Sequence, residues 1–501
     1  MRRHLPLVAA LGLAGVFWLG NPVVFTAEDC YFYAVVARNL ALRGVQAFWG
    51  VEPTNGVHPL WLYLLAGYDW FVAQFSVSVL YRPAFGVPLV LGLTSAGALN
   101  WSVVAWRTRL PVSLLVFPQL LFLAAFGLLY SEAHAAFFAH SLLARGISSE
   151  EDDGRPRPLL VGLAAAAVLL ARLDNVFYVA AVVAWYGARR PLPTSARMAL
   201  ACGLPVGLYL ASNVLFFGGI VPVSGYLKST FPVPQFSGLA ASPGGLVLMY
   251  AGYSIPLGWA PIGAGILAAM LRPRLTGAQT LLYPLLAGAI GHALYTALFT
   301  TGFTFWYWYY LLPIVLGSWA LASLLSTAVG DRLDRLGQWM AVVALGAALL
   351  TVRLAPPTED RLIGLTSLRI VREEGIDRAT LLVSEWPGTL AFFTHNHVIA
   401  ADMLTSNRRL VDRMVSAPDA AAVLLDEARR LGTPVDYVLF NGGLFLQPYA
   451  DRQSVELRDP RMLETLARRA IGRLTLGPAL SAREGVLLWR VPPTALPSSR
   501  R

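Results

Sequence analysis

The chain has 501 residues, of which 56% are hydrophobic and only 14% are charged, whereas charged residues make up about 25% of a soluble domain. This composition excludes an ordinary water-soluble enzyme and predicts a polytopic α-helical membrane protein. The net charge is +10, but the basic residues form short clusters between apolar stretches. No basic stripe interleaved with aromatic residues is present, which argues against nucleic acid as a partner. The lipid bilayer is the expected partner instead.

Several apolar stretches reach the length of about 20 residues that a spanning helix needs. The first, residues 5–25, follows a basic start and is predicted to be an uncleaved transmembrane helix, because no small-x-small cleavage pattern comes after it. Further spans are predicted at 83–106, 111–130, 197–217, 244–271, 279–300, 303–327 and 336–355. Shorter apolar stretches flank Glu132 and the segment Arg172–Asp174.

The basic clusters between these stretches indicate the orientation, because cytoplasmic loops are enriched in arginine and lysine. With every cluster in the cytoplasm, the spans alternate correctly only if Pro59–Phe75 stays outside as a juxtamembrane hairpin. The prediction is about eleven spans, a cytoplasmic N-terminus and a first outer loop at residues 26–82. The unusual polar residues then meet at the outer surface, which predicts an outward-facing site.

The composition changes after Pro356-Pro357, where Asp, Glu and Arg become frequent and the apolar stretches shorten. We therefore predict a membrane domain at residues 1–356 and a soluble α/β domain at residues 357–501. Buried strands are predicted at 380–384, 436–440 and 486–491, and amphipathic helices at 406–431 and 460–471.

Several well-known signatures are absent from the sequence. It contains no Walker motif, GxSxG elbow, HExxH or CxxC pair, which removes the usual marks of ATP-driven transport and zinc chemistry. Its two cysteines, Cys30 in the first outer loop and Cys202 in an apolar stretch, provide no disulfide framework. Four side chains of metal-binding type in the C-terminal domain lack an established spacing and are expected to have surface or structural roles. They are Glu385, His395, His397 and Asp402.

Two adjacent carboxylates, Glu28 and Asp29, stand where the first span ends. Because sequence neighbours point in different directions, one can face a substrate while the other pairs with a cation or with the backbone. A carboxylate in a dry cleft can accept the proton of an attacking hydroxyl; the alternative is a solvated helix cap. The pair precedes an amphipathic helix with Arg38 and Asn39, then the turn Thr54-Asn55-Gly56, then His58-Pro59-Leu60-Trp61.

This combination resembles the first outer loop of the GT-C superfamily of integral-membrane glycosyltransferases. That loop opens with an acidic pair and often continues through an "ARN" helix to a "TN(G)xxPLW" element. The likeness is closest to bacterial arabinofuranosyl- and mannosyltransferases that use polyprenyl-phosphate sugars. Four further segments resemble the superfamily's "GxE", "RPEG" or "RxDG", "FG..xPxSxxxK" and "RYLLP" elements. In that order they are Tyr130-Ser131-Glu132, Ala171-Arg172-Leu173-Asp174, Phe217–Ser229 and Trp306–Pro313.

The resemblance implies a GT-C fold and an inverting transfer of a sugar from a polyprenyl-phosphate donor. The acceptor would be a hydroxyl of a glycan, lipid or protein at the outer face of a bacterial inner membrane, with the C-terminal domain outside the cell. Asp29, or alternatively Glu28, would be the general base. Lys228, the only lysine of the chain, matches the loop lysine that meets the lipid-linked phosphate, and Arg172 is the second candidate cation.

The remaining candidates are expected to bind substrate, and some have an alternative role. Arg172 and Asp174 could form a structural ion pair, and His58 could stabilise the turn. A tyrosine, Tyr309 or Tyr310, replaces the arginine of "RYLLP", which puts a cationic phosphate contact from that segment in doubt. The candidate substrate-binding residues are Asn55, His58, Glu132, Asp174, Ser224 and Tyr309.

No cofactor is certain from these residues. A lysine and an arginine can suffice for a single lipid phosphate, yet an Asp/Glu pair could also hold a divalent metal, so metal dependence stays open. Two other functions stay open as well. One is a transporter or flippase of lipid-linked sugars, which would need a polar path to both faces. The other is a catalytically inactive relative whose soluble domain binds a partner.

Overall fold

The computed structural model describes residues 4–20, 26–49, 52–75, 86–126, 131–234, 250–271, 275, 277–300, 307–354, 359–384, 386–401, 403–440, 479–483 and 486–491. The described chain is mainly helical up to residue 373, and its strands lie between residues 380 and 490. This order agrees with the sequence, in which long apolar stretches come first and short ones follow.

The helices of the first half are α1 (Leu5–Gly20), α2 (Glu28–Arg43), α3 (Pro59–Ala73), α4 (Val87–Thr108), α5 (Val112–Leu115), α6 (Phe117–Phe126), α7 (Ala133–Asp153), α8 (Pro158–Ala171), α9 (Val176–Arg189), α10 (Leu192–Ser212) and α11 (Val223–Lys228). A 3₁₀ turn, Leu173–Asn175, joins α8 to α9, and a π-helical turn, Asn213–Phe217, extends α10.

The second half begins with a π-helical segment, Tyr250–Trp259, and includes two 3₁₀ turns, Gly277–Leu281 and Tyr307–Tyr310. Its helices are α12 (Ala260–Leu271), α13 (Leu282–Phe299), α14 (Leu311–Leu325), α15 (Asp331–Leu354), α16 (Glu359–Glu373), α17 (Gly388–Phe393), α18 (Arg408–Ser416) and α19 (Ala420–Arg430). Its strands are β1 (Thr380–Val383), β2 (His397–Ala400), β3 (Tyr437–Phe440), β4 (Ser481–Arg483) and β5 (Val486–Arg490).

Four helical segments among the described residues are long and apolar enough to cross a membrane, and each overlaps a predicted span. They are Val87–Thr108, Leu192–Phe217, Gly277–Phe299 and Asp331–Leu354. Shorter apolar helices are Leu5–Leu19, Val112–Ala125, Pro158–Ala171, Ile255–Leu271 and Leu311–Leu325. Parts of the other predicted spans lie outside the described residues, so the total of eleven stays a prediction.

Glycines let neighbouring membrane helices approach closely. A Cβ atom on Gly288 of α13 would lie 2.5 Å from the Cα atom of Tyr178 on α9. A Cβ atom on Gly162 of α8 would lie 2.3 Å from the carbonyl oxygen of Met198 on α10. Small residues at helix crossings favour this packing in membranes, where van der Waals contact is a main source of helix association.

The described part of the segment predicted to be the first outer loop contains α2 and α3, which pack against each other. Gly44 ends α2 in the left-handed conformation, with φ of 69°, which glycine adopts without steric cost. Pro59–Phe75 was predicted to be a hairpin, but α3 is a single helix that runs to Ala73. Pro59 starts it in the first turn, and Gly67 does not interrupt it, so the segment cannot fold back on itself.

The five strands form one sheet in the order β2-β1-β3-β5-β4. Strand β1 pairs in parallel with β2 and with β3, whereas β5 is antiparallel to both β3 and β4. The register places Leu382 opposite Ile399 on one side and Val438 on the other. Strands β1, β3 and β5 coincide with the predicted strands, and α18 and α19 lie in the predicted helical segment 406–431.

Other features of the C-terminal prediction remain untested. The predicted helix 460–471 and Pro356-Pro357 lie outside the described residues, and the division into two domains stays a prediction. The carboxyl ends of the parallel strands β1 and β2 lead into α17 and into residues 403–407, respectively. The first connection contacts α2 and the second contacts the residues between α2 and α3, which links this end of the sheet to the site.

Candidate active site

A cavity with a volume of about 690 Å³, including its open mouth, lies between α2, the residues before α3, the start of α7, the end of α8, helix α11 and the segment after β2. Seven of the ten predicted site residues line it. They are Asp29, His58, Glu132, Arg172, Ser224, Lys228 and Tyr309. The other lining residues are Ala27, Cys30, Phe32, Tyr33, Gly56, Val57, Ser131 and Leu404.

The acidic pair opens helix α2, and its two members have different surroundings. Asp29 lines the cavity. Glu28 is fully buried, accepts a hydrogen bond of 2.7 Å from the backbone N–H of Thr389 and accepts another from the hydroxyl of the same residue. Glu28 is therefore not a solvated helix cap, and the backbone contact expected of one member of the pair belongs to it.

His58 and Tyr33 form the part of the cavity next to Asp29. Tyr33 lies one helical turn after Asp29 on α2, and its hydroxyl oxygen accepts a hydrogen bond of 3.5 Å from the backbone N–H of His58. His58 immediately precedes α3. Burial lowers the pKa of the His58 imidazole and is the largest cause of the raised pKa of Tyr33. Both side chains are therefore uncharged at neutral pH.

Arg172, at the corner between α8 and α9, forms a buried ion-pair network. Its Nε and Nη2 atoms donate to the two carboxylate oxygens of Asp174 at 3.1 and 2.7 Å, and its Nη1 atom donates to Glu132 at 2.5 Å. Asp174 also lies 3.3 Å from the Nε2 atom of His292. Asp174 does not line the cavity, whereas Glu132 and Arg172 do.

Electrostatic effects in this network oppose the cost of burial. Burial alone would raise the pKa of Asp174, but the guanidinium of Arg172 and the imidazole of His292 hold it well below its ordinary value. Burial alone would lower the pKa of Arg172, but Asp174 and Glu132 raise it. One guanidinium thus faces two carboxylates, and the predicted structural ion pair is present.

Lys228 is the last residue of α11 and faces the same cavity. Its Nζ atom donates a hydrogen bond of 3.4 Å to the hydroxyl of Tyr309. Burial alone would lower the pKa of Lys228, but Tyr309 and Asp29 raise it above its ordinary value, so the ammonium stays charged. The ring of Tyr309 lies 4.7 Å from the guanidinium carbon of Arg172. The tyrosine that replaces the "RYLLP" arginine therefore contacts both candidate cations.

Asn55 does not line the cavity but supports helix α11, which does. It lies outside the lining set, is buried, and its side-chain oxygen accepts a hydrogen bond of 3.1 Å from the backbone N–H of Val223 at the start of α11. The next residue, Gly56, is needed for a close approach, because a Cβ atom there would lie 1.8 Å from the carbonyl oxygen of Leu404. This contact holds the segment after β2 against the cavity.

Within the described ranges, no three His, Cys, Asp or Glu side chains are grouped to hold a metal ion. Of the four C-terminal candidates, Glu385 and Asp402 lie outside the described residues. His395 lies at the surface, 3.2 Å from Asp377, and His397 begins β2.

Four residues that contact the site were not predicted from the sequence. Tyr33 could have been found, because residues four apart share a helix face. His292 could have been suspected as a histidine within an apolar stretch, which is usually functional or paired. No sequence pattern pointed to Leu404 or Thr389, because the residues that they contact, Gly56 and Glu28, lie more than 300 positions away in the chain.

Comparisons with known proteins give similarity in structure only. No family model and no curated protein matches the sequence. The structure is similar to that of ArnT from Cupriavidus metallidurans bound to undecaprenyl phosphate, with a TM-score of 0.56, 13% identity and 98% of each chain covered. It also matches arabinofuranosyltransferase AftD from Mycobacteria, with a TM-score of 0.46 and 17% identity over 98% of this chain and 42% of that one.

The similarity to ArnT extends over nearly the whole of both chains and defines the architecture. The chain therefore shares the fold of ArnT, and its apolar helices are those of a multi-pass membrane protein, as its composition predicted. At 13% identity this likeness establishes the fold, and the chemistry of the cavity has to be argued from the residues that line it.

Proposed function

We propose that this protein is a glycosyltransferase that moves a sugar from a polyprenyl-phosphate donor to a hydroxyl group of an acceptor at the outer face of a bacterial inner membrane. One observation carries the proposal: a carboxylate, Asp29, and an ammonium, Lys228, face one cavity in a GT-C fold. The undecaprenyl phosphate bound to ArnT supports a polyprenyl carrier. The basic clusters of the sequence support an N-terminus in the cytoplasm and C-terminal residues outside the cell.

The reaction needs a base on one side of the sugar and a cation on the other. Asp29 accepts the proton of the acceptor hydroxyl while the hydroxyl oxygen attacks the anomeric carbon, with inversion. The bond between the anomeric carbon and the phosphate oxygen breaks, and its electron pair stays on the lipid phosphate. Lys228 stabilises this charge, and a preorganised contact of this kind contributes about 10²–10³ in rate.

The other lining residues bind the sugar and shape the cavity. Arg172 lines the same cavity and is the second candidate cation for the phosphate, but its two carboxylate partners already balance its charge. Neutral His58, Ser224 and Glu132 are the candidates for hydrogen bonds to sugar hydroxyls. Asn55, Asp174 and Glu28 hold these groups in place. This assignment makes Asp29, rather than Glu28, the base.

The test is sugar transfer by the purified full-length protein in nanodiscs, with a panel of radiolabelled polyprenyl-phosphate sugars. Wild type is compared with Asp29→Asn and Lys228→Ala, and Asp377→Asn, at a surface carboxylate, is the matched control. We expect release or transfer from one donor, a loss of at least 100-fold in both cavity variants, unchanged donor binding in Asp29→Asn, and full activity in the control. Parallel reactions with and without a chelator decide metal dependence.

Other results would overturn the proposal. A flippase would move labelled lipid across a vesicle membrane without breaking the sugar–phosphate bond, and Asp29→Asn would not affect it. An inactive binding protein would release no sugar from any donor. A chain in which Asp29→Asn and Lys228→Ala turn over like wild type would not use the mechanism above.

A further inference from the structure

Helix α17, which follows strand β1, is held at both ends by side chains of helix α2. The N-terminal end of α17 contacts Glu28, and its C-terminal end contacts Arg38. These two α2 residues are ten positions apart on the helix whose second residue is Asp29. A short helix of the C-terminal part thus lies along the helix that carries the proposed base.

The contact at Glu28 is closely fitted. Its carboxylate accepts from the backbone N–H and the hydroxyl of Thr389, as described above. Two glycines make room for it: a Cβ atom on Gly364 of α16 would lie 1.9 Å from Oε1 of Glu28, and one on Gly388 would lie 2.5 Å from its backbone oxygen. A larger residue at position 364 would displace the carboxylate, and one at position 388 would displace the backbone of α2.

The contact of Arg38 lies at the C-terminal end of α17. Its Nη1 and Nη2 atoms each donate a hydrogen bond of 3.1 Å, to the carbonyl oxygens of Phe392 and Ala391. The guanidinium also lies 5.4 Å from the centre of the Phe392 ring. Between the two ends, the buried ring of Tyr31 packs against Phe392, with 5.2 Å between ring centres.

The helical repeat separates these contacts from the cavity. At about 100° per residue, Glu28, Tyr31 and Arg38 share one face of α2. Asp29 and Tyr33 share a face on roughly the opposite side, and both line the cavity. A contact that fixes the face of Glu28 and Arg38 therefore also fixes the direction in which the face of Asp29 points.

We propose that α17 is a clamp that sets the rotation of α2 and thereby points Asp29 into the cavity, with Thr389 and Arg38 as positioning residues. This inference rests on the proposed role of Asp29. It gives the C-terminal part of the chain a share in catalysis without any contact to the reacting atoms. Loss of one end of the clamp lets the first turn of α2 move, and a misplacement of 1 Å in an active site can cost about 100-fold in rate.

The first test separates turnover from binding. Thr389→Val removes the hydroxyl, Thr389→Ser keeps it, and Thr394→Val is the matched control, because Thr394 bonds to Leu390 at the other end of α17 and not to Glu28. We expect kcat to fall about 10- to 100-fold in Thr389→Val with an unchanged donor KM. Activity should return in Thr389→Ser and stay normal in Thr394→Val. The kcat of Arg38→Met should fall by a similar factor, and the kcat of Arg43→Met, at the end of α2, should stay normal.

The second test needs no activity. Cys30 follows Asp29, lines the cavity and is 4% exposed, so its alkylation by N-ethylmaleimide reports on the first turn of α2. In a Cys202→Ser background we expect the labelling rate to rise at least fivefold in Thr389→Val and Arg38→Met, and to stay at the wild-type value in the two controls. Circular dichroism and gel filtration in detergent verify that each variant is folded.

The outcomes distinguish the clamp from the proposed function. If Asp29→Asn abolishes transfer while Thr389→Val and Arg38→Met keep wild-type kcat and Cys30 labelling, the clamp is wrong and the base assignment stands. If Asp29→Asn is fully active, the proposed function fails, and the labelling rates alone decide whether α17 holds α2. A fall in kcat that Thr389→Ser does not restore would also contradict the clamp.

Discussion

The cavity has two sides that are held in place by different means. On the Arg172 side, a buried guanidinium joins two carboxylates that lie two and 40 residues away in the chain. On the α2 side, the helix that carries the proposed base is hydrogen-bonded through Glu28 and Arg38 to residues more than 350 positions further along. Charge pairing at helix ends maintains the first side, and docking of a distant segment maintains the second.

This difference indicates how each side should fail. An ion-pair network in a buried corner is destabilised when one member is removed, because the others stay buried and unpaired. A docked segment can be loosened while both parts remain folded, so that activity changes before stability does. Four substitutions test this contrast.

The largest effect is expected for Arg172→Met on the ion-pair side. It leaves Glu132 and Asp174 buried without their cation, which costs about 3–5 kcal/mol of unfolding free energy. Steric trapping in bicelles measures that free energy. Arg157→Met is the control, because its pair with Asp153 is at the surface, and it should cost less than about 1 kcal/mol. Equal losses in the two variants would contradict a structural role for the network.

Gly56→Ala tests the docked side. The added methyl group would overlap the carbonyl oxygen of Leu404, and overpacking of this kind costs about 1–3 kcal/mol. The same unfolding measurement applies, together with sugar transfer. Gly67→Ala on α3 is the matched control, because no atom lies within 4 Å of the position of its Cβ, and it should be neutral or slightly stabilising. A stable, fully active Gly56→Ala variant would show that the two segments do not need to touch.

Tyr309→Phe tests the residue that joins the two cations. The ring over Arg172 remains, while the oxygen that accepts from Lys228 is lost. This bond joins a charged ammonium to a phenol, but at 3.4 Å it is long, so we expect it to contribute about 0.5–1.5 kcal/mol, the range of an ordinary hydrogen bond. Transfer should therefore slow about 2- to 12-fold, less than in Lys228→Ala. Tyr310→Phe is the neighbouring control. A loss as large as that of Lys228→Ala would mean that the phenol has its own part in the reaction.

The smallest effect on stability is expected for His58→Gln and is measured as a change in the pH dependence of stability. Burial lowers the pKa of His58 in the folded state. As the pH falls below about 6.5, His58 therefore becomes protonated in the unfolded chain while it stays neutral in the folded chain. The contribution of His58 is therefore present above that pH and is lost as the pH falls toward the folded pKa. In His58→Gln the melting temperature should decrease less between pH 7 and 5 than in wild type. An unchanged decrease would show that another group takes up the proton.

Much of the ion-pair side could be predicted from the sequence. Glu132, Arg172 and Asp174 are charged residues between apolar stretches, where burial without a partner is costly, so their convergence was expected. Lys228 stood out as a single lysine among arginines. The four longest apolar helices could be predicted for the same reason, because a span is recognisable from its own composition.

The docked side could be predicted only in outline. Glu28 and Asp29 are chemically similar neighbours, and their different surroundings depend on Thr389, Gly364 and Gly388, which no local pattern connects with them. Strands β1, β3 and β5 were recognisable as apolar stretches, yet their pairing and the contact of α17 with α2 depend on tertiary packing. The single helix α3 was missed for a related reason, since basic clusters indicate which side a segment lies on and not how it folds there.

The distance along the chain between Glu28 and Thr389 also determines when the protein becomes complete during its synthesis. The two residues are 361 positions apart, and ribosomes add about 5–20 residues per second. Helix α2 is therefore made on the order of 20–70 s before the segment that holds it. By the end of that interval the nascent chain contains its apolar helices but still lacks α17, so a protein interrupted before residue 388 would lack the segment that bonds to Glu28.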